Sequence, residues 1–164
     1  MRKFVAWYVG VLAWLHGCAP PVDLQSAPDA QVKCEAPSAE ALNPTARMLP
    51  GRFCQACHVK DGQASYRTWT ASGTTYDRPD ATCNEGGLEG VTVELLDADD
   101  KVLITLTTNR SGNFFTAEDL GASRFRARIS KDGKVREMYG LQPTGGCAAC
   151  HYPGGVAPGR IFLQ

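Results

Sequence analysis

Histidine is scarce in this chain: three in 164 residues, alongside three methionines. Charge of either sign is not in surplus, with 17 Lys and Arg against 17 Asp and Glu, and such a balance argues against nucleic-acid binding. The apolar run "FVAWYVGVLAWL" at residues 4–15 is too short for a stop-transfer span. After it, no stretch carries the 3.6-residue periodicity that would demand a helix longer than a turn or two. The chain does hold seven cysteines, and two of its histidines sit in the same five-residue frame.

That frame is "CQACH" at residues 54–58 and "CAACH" at residues 147–151. C-x-x-C-H is the attachment signal of c-type haem. Two thiols three residues apart reach the two vinyl groups on one porphyrin edge, and the following imidazole turns to the iron. The expected attachment residues are Cys54 and Cys57 with His58 on one iron, and Cys147 and Cys150 with His151 on another. The alternatives are a dithiol redox pair, half a zinc site, chance, or a zinc cage of Cys54, Cys57, Cys147 and Cys150, and the zinc cage leaves both adjacent histidines unexplained.

The first residues indicate export. "MRK" is a basic region, the apolar run follows, and the run closes in "LHGC". That tetrad resembles the lipobox of bacterial lipoprotein signal peptides, which implies cleavage after Gly17 and lipidation of Cys18; His16 is an uncommon residue in its slot. An ordinary secretory signal cut nearby is the alternative. Ala19 is not the aspartate that often retains lipoproteins at the inner membrane, so the resemblance favours the outer membrane of a bacterial envelope, with stable anchoring by several acyl chains. The expected organisation is a signal peptide over residues 1–17, a tether over 18–47 and a single domain over 48–164. The tether is rich in Ala, Pro and Ser, lacks aromatics, and as a coil spans roughly 30 Å. Cleavage leaves 147 residues near a charge of −2, enough for one core. One cysteine for lipid and four for haem leave Cys34 and Cys83, for which an oxidising compartment favours a disulfide over two thiols.

From about residue 64 the pattern is β, with a first strand expected near Tyr66. "VTVEL" alternates with Val91, Val93 and Leu95 on one face, and "VLITLT" aligns Val102, Ile104 and Leu106. "RFRARIS" buries Phe125, Ala127 and Ile129 and exposes Arg124, Arg126 and Arg128. That arginine stripe is expected to be a solvated face, with an acidic partner or haem propionate as its alternative. "KDGK" gives an Asp132–Gly133 hairpin, "VREMY" returns, and "RIFL" supplies a last strand. The expected fold is mainly β, a sandwich flanked by two haem-bearing loop segments.

The stretch "GLEGVTVELLDADDKVLITLTTNRSGNFFTAEDL" resembles the carboxypeptidase regulatory-like family. Its matching features are Gly90–Val91 opening a strand, the acidic turn, "TTN" followed by Gly112, and Phe114 then Leu120. The resemblance covers roughly residues 64–140 and implies a transthyretin-like or Ig-like β-sandwich without catalytic residues. The chain departs from that family in the two motifs outside the sandwich, and it also resembles small exported haem proteins in which such a module lies between two C-x-x-C-H segments.

The shortage of histidine bears on the irons. His58 and His151 fill two of four axial positions and His16 leaves with the signal peptide, so bis-histidine ligation cannot be built. Met48 and Met138 each precede a motif by fewer than ten residues and are the expected thioether ligands, with core filling as their alternative. The expected function is a membrane-anchored dihaem carrier of single electrons, serving a redox partner protein or an extracellular acceptor, rather than an enzyme. The alternatives are a haem protein with an open axial site, acting as sensor or peroxidase-like enzyme, and a surface binding module with structural haems.

Overall fold

The computed structural model describes residues 49–83 and 85–164, so Cys18, Cys34 and Met48 lie outside the described residues. Within them the chain forms β1 (Ala71–Tyr76), β2 (Thr92–Leu96), β3 (Val102–Thr107), β4 (Asn113–Thr116), β5 (Arg126–Lys131), β6 (Lys134–Glu137), β7 (Gly145–Gly146) and β8 (Ile161–Phe162). The helical structure among the described residues is two single 3-10 turns, Cys54–Ala56 and Cys147–Ala149.

One sheet runs β3-β2-β5-β6 with every pair antiparallel. The other is centred on β1, which pairs with β4 antiparallel on one side and with β7 and β8, both parallel, elsewhere along its length. The protein is therefore mainly β with two sheets, and the sheets share one core, an arrangement consistent with a β-sandwich. That core joins Ala71 and Phe114 from the β1 sheet with Val91, Val93, Leu95 and Ile129 from the β2 sheet, closed by Leu120, Phe125 and Leu163. Full burial of each such Val, Leu, Ile or Phe contributes about 1.5–3 kcal/mol.

Alternation explains β2 and β5. Val93 and Leu95 are buried while Thr92 and Glu94 are half-exposed, and Phe125 and Ile129 are buried with Ala127 packed against them. Asp132 (φ 51°) and Gly133 (φ 78°) both take left-handed backbone, as a two-residue hairpin between β5 and β6 requires. Asp97 Oδ1 accepts from the Asp99 and Lys101 amides and closes the β2–β3 turn, as Asn109 Oδ1 does for Ser111 and Asn113 before β4.

Three expectations are corrected. The first strand begins at Ala71, not near Tyr66, which is 70% exposed in the preceding loop. Val102 does not face the core: the register between β2 and β3 shifts between Leu95 and Leu96, Val102 pairs with Leu96, and it ends 38% exposed. The arginine stripe is not simply solvated. Arg126 pairs with Asp100 and Glu137, and Arg128 with Glu94 at 2.8 Å and Glu137 at 3.7 Å, so acids on neighbouring strands answer both; Arg124 is exposed.

β1 positions the site. All six of its residues are buried, Ser72, Thr74 and Thr75 among them, so both of its faces are covered. One face meets the core, and the segments carrying the two C-x-x-C-H motifs lie against the strand elsewhere.

Candidate functional site

The two motifs have the same backbone. In each, the 3-10 turn starts at the first cysteine, whose carbonyl accepts from the second cysteine's amide (3.1 Å from Cys57, 3.2 Å from Cys150) and from the histidine amide (2.9 Å from His58, 3.0 Å from His151). The second cysteine then accepts from an alanine seven residues on, Ala64 to Cys57 at 3.0 Å and Ala157 to Cys150 at 3.2 Å. Between them stands a glycine, Gly62 or Gly155, where a Cβ would collide with the carbonyl of Cys57 or Cys150. The first thiols repeat as well: Cys54 Sγ lies 3.7 Å from the Arg52 carbonyl and Cys147 Sγ 3.5 Å from that of Gly145.

This equivalence exposes a longer sequence repeat that the five-residue frame conceals. Residues 54–67 and 147–160 share C-x-A-C-H-x-x-x-G-x-A-x-x-R. The glycine and the alanine are explained by the carbonyl they leave room for and the hydrogen bond that closes the loop. The signal was present in the chain as identities at one fixed offset.

Both histidines point the same ring atom at the backbone. His58 Nδ1 lies 2.7 Å from the Arg67 carbonyl, and His151 Nδ1 lies 3.3 Å from that of Gly159. A carbonyl accepts only, so Nδ1 is the donor, and in the neutral ring that leaves the lone pair on Nε2, which is how a metal-ligating imidazole is held. Around His58 the support is aromatic: its ring lies 5.0 Å from Trp69, and Trp69 lies 4.6 Å from Phe115. Around His151 it is burial, which holds the imidazole below its usual range; the Gly159 carbonyl opposes that shift and the Arg136 charge adds to it.

Beside the second motif is a cavity of about 340 Å³, open on one side, between the β5–β6 edge of one sheet and the β7–β8 edge of the other. Cys147, Cys150 and His151 stand on one wall, Met138 on another, and Phe114, Phe125, Ile129 and Phe162 contribute its apolar lining. Met138 is held there by its amide, which donates to the Ala127 carbonyl at 2.9 Å. Arg136 stacks over Phe162 at 3.7 Å, and Gln142 Oε1, buried on this wall, has no hydrogen-bond partner. Such a lining suits a large apolar ring with a few polar attachments.

Arg160 was missed in the sequence. It is 2% exposed, lies over the Tyr76 ring at 5.2 Å, and donates to the Gly51 carbonyl at 2.6 Å, the Ala81 carbonyl at 3.3 Å and Cys83 Sγ at 3.2 Å. It thereby ties the chain before the first turn to the chain after the second. Burial lowers its pKa, while Tyr76 opposes that shift, and burial pushes Tyr76 itself up to about 12.

The thiols differ in state. Cys54, Cys57 and Cys147 are outside any disulfide, whereas Cys83 and Cys150 are each in one. Burial, with a further push from Cys54, raises the Cys147 thiol to about 12. A disulfide sulfur cannot also carry a thioether, so attachment at Cys150 requires prior reduction. Among the described residues no three His, Cys, Asp or Glu side chains converge as a metal cage, and no helix is long and apolar enough to cross a membrane. No family model, curated protein or solved structure matches the chain.

Proposed function

We propose that this chain binds two haems covalently and passes single electrons in a bacterial envelope. The observation that carries the reading is the doubled turn: two C-x-x-C-H segments with one backbone, each fixing its histidine through Nδ1 so that Nε2 is presented. Cys54 and Cys57 hold one group and Cys147 and Cys150 the other, each S–H adding across a vinyl C=C; a thiol reductant first opens the Cys150 disulfide. Haem supplies an iron that alternates between ferric and ferrous, and ligand identity and burial set its potential.

His58 and His151 serve as proximal ligands. Met138, sharing the cavity with His151, is the distal ligand of the second site, and Met48, outside the described residues, is assigned to the first. Cys18 is the lipidated residue, which anchors the protein on the outer membrane, and Cys34 pairs with Cys83 once the Cys150 disulfide is opened. The two-sheet body, read as transthyretin-like, acts as scaffold rather than catalyst. The redox partner is a protein or extracellular acceptor that meets the tethered domain.

Purification from a bacterial host equipped for c-type maturation tests the reading. Pyridine haemochrome spectra and intact mass should give two haems per chain. A protein carrying zinc and no porphyrin would end it.

A further inference from the structure

The two attachment turns touch. Gly146 opens the second turn with its Cα so close to the Phe53 ring and the Gln55 amide of the first that a Cβ would collide with both. Gln55 is buried and pinned, donating to the Trp69 carbonyl at 2.9 Å and the Thr70 carbonyl at 3.4 Å, immediately before β1. Both turns rest on β1: the Cys147 Cβ would lie 3.1 Å from a Cβ built at Gly73, and the Gly51 amide donates to Thr74 Oγ1 at 2.8 Å. Arg160 clamps the two segments from another side through the Gly51 carbonyl. Nothing in a five-residue attachment signal asks for such contact, since each turn closes its own hydrogen bonds.

We propose that the packing of Gly146 on Phe53 and Gln55 makes the two attachment sites one electronic unit, in which an electron received at either site is exchanged with the other inside the chain and changes its readiness to be reduced. This rests on the haem reading. The exchange is a transfer of one electron from ferrous to ferric iron, with no bond made or broken. The mutual influence is electrostatic: reducing one site removes a unit of positive charge beside the other, and a water-poor interior screens that change weakly. The second electron is then harder to add than the first.

The test is a potentiometric titration with dithionite and an electron paramagnetic resonance spectrum of the fully ferric protein. Wild type is compared with Cys54→Ala/Cys57→Ala, with Cys147→Ala/Cys150→Ala, and with Gly146→Val, which forces the turns apart while keeping both motifs. In wild type the ferric signals should be broadened by spin–spin interaction. Each single-site variant should lose that broadening and titrate as one one-electron step lying above the lower step of wild type. Gly146→Val should keep two haems and show weaker broadening. Should a single-site variant fail to fold, the Gly146→Val comparison decides alone. A wild-type spectrum equal to the sum of the single-site spectra, or unchanged by Gly146→Val, overturns the inference while two haems by pyridine haemochrome keep the cytochrome reading. Fewer than two haems in wild type would overturn both.

Discussion

Residues 54–69 and 147–162 are two copies of one local structure in two different settings. The turn, the glycine that clears a carbonyl and the alanine that closes the loop are common to both. Yet Arg67 is exposed where Arg160 is buried, and Trp69 stacks on His58 where the matching Phe162 lies under Arg136. His151 is desolvated and shares a cavity with Met138. A short motif thus determines how a histidine is presented, and the body packed around it determines that histidine's surroundings. Two copies of one turn can then differ in burial and neighbours without differing in sequence signature.

Paired cysteine replacement should break the comparison most completely. Cys54→Ala/Cys57→Ala and Cys147→Ala/Cys150→Ala should each remove one haem, read by intact mass, and the loss should stay confined to the altered copy. A smaller effect separates the arginines at the matching repeat position. Arg160→Leu leaves the buried Gly51 and Ala81 carbonyls without their donor, about 1–3 kcal/mol each, whereas Arg67→Leu at the exposed position should stay within about 0.5 kcal/mol. Urea unfolding curves measure both, and equal costs would deny that setting distinguishes the copies.

Met138→Ala should cost less than the roughly 2–5 kcal/mol of a fully buried methionine, because the residue is only partly covered. On the dihaem proposal its diagnostic effect is spectroscopic: part of the far-red thioether band should disappear, and one ferrous haem should become open to carbon monoxide. Met48→Ala should do the same at the other site. A methionine that merely fills space would lower stability and leave both readings unchanged.

The smallest effect concerns Tyr76, which lies beneath Arg160 and donates to the Cys83 carbonyl at 2.9 Å. Burial raises its folded pKa to about 12, above the ordinary 10.0, so its contribution is complete below pH 10 and is lost as pH rises through 12. The loss over that window is about 2–3 kcal/mol. Tyr76→Phe should be less stable by about 1 kcal/mol at neutral pH and should flatten this part of the alkaline decline. An unchanged slope in thermal melts between pH 10 and 12 would count against it.

Much of the β2 sheet was legible because one face of each central strand is apolar, as Val93, Leu95 and Ile129 show. β1 was not legible: "ASGTTY" is small and polar, and it is buried on both faces only because the motif segments cover what the core does not. β7 is two glycines, and no propensity marks two glycines as a strand; close approach to β1 and to Phe53 requires them. At the site, the motif spacing gave the histidines and cysteines. The cavity depends on two sheet edges that no local pattern relates, and Arg160 reads in sequence like any other loop arginine.

The parallel pairing of β1 with β7 and β8 also orders events in time. Ala71 and Thr75 find those partners only at Gly145 and Ile161, far later in the chain. Closing so long a loop is slow and costs entropy before any contact repays it. During synthesis, β1 can pair with β4 early, but its pairing with β7 and β8 must wait until residues 145–162 have emerged. Over that interval the first turn can already close on Thr74 and on the Trp69 and Thr70 carbonyls, whereas the second turn and the contact of Gly146 with Phe53 come last. The fold builds in a delay: the last residues to emerge are the ones that close the sheet around β1.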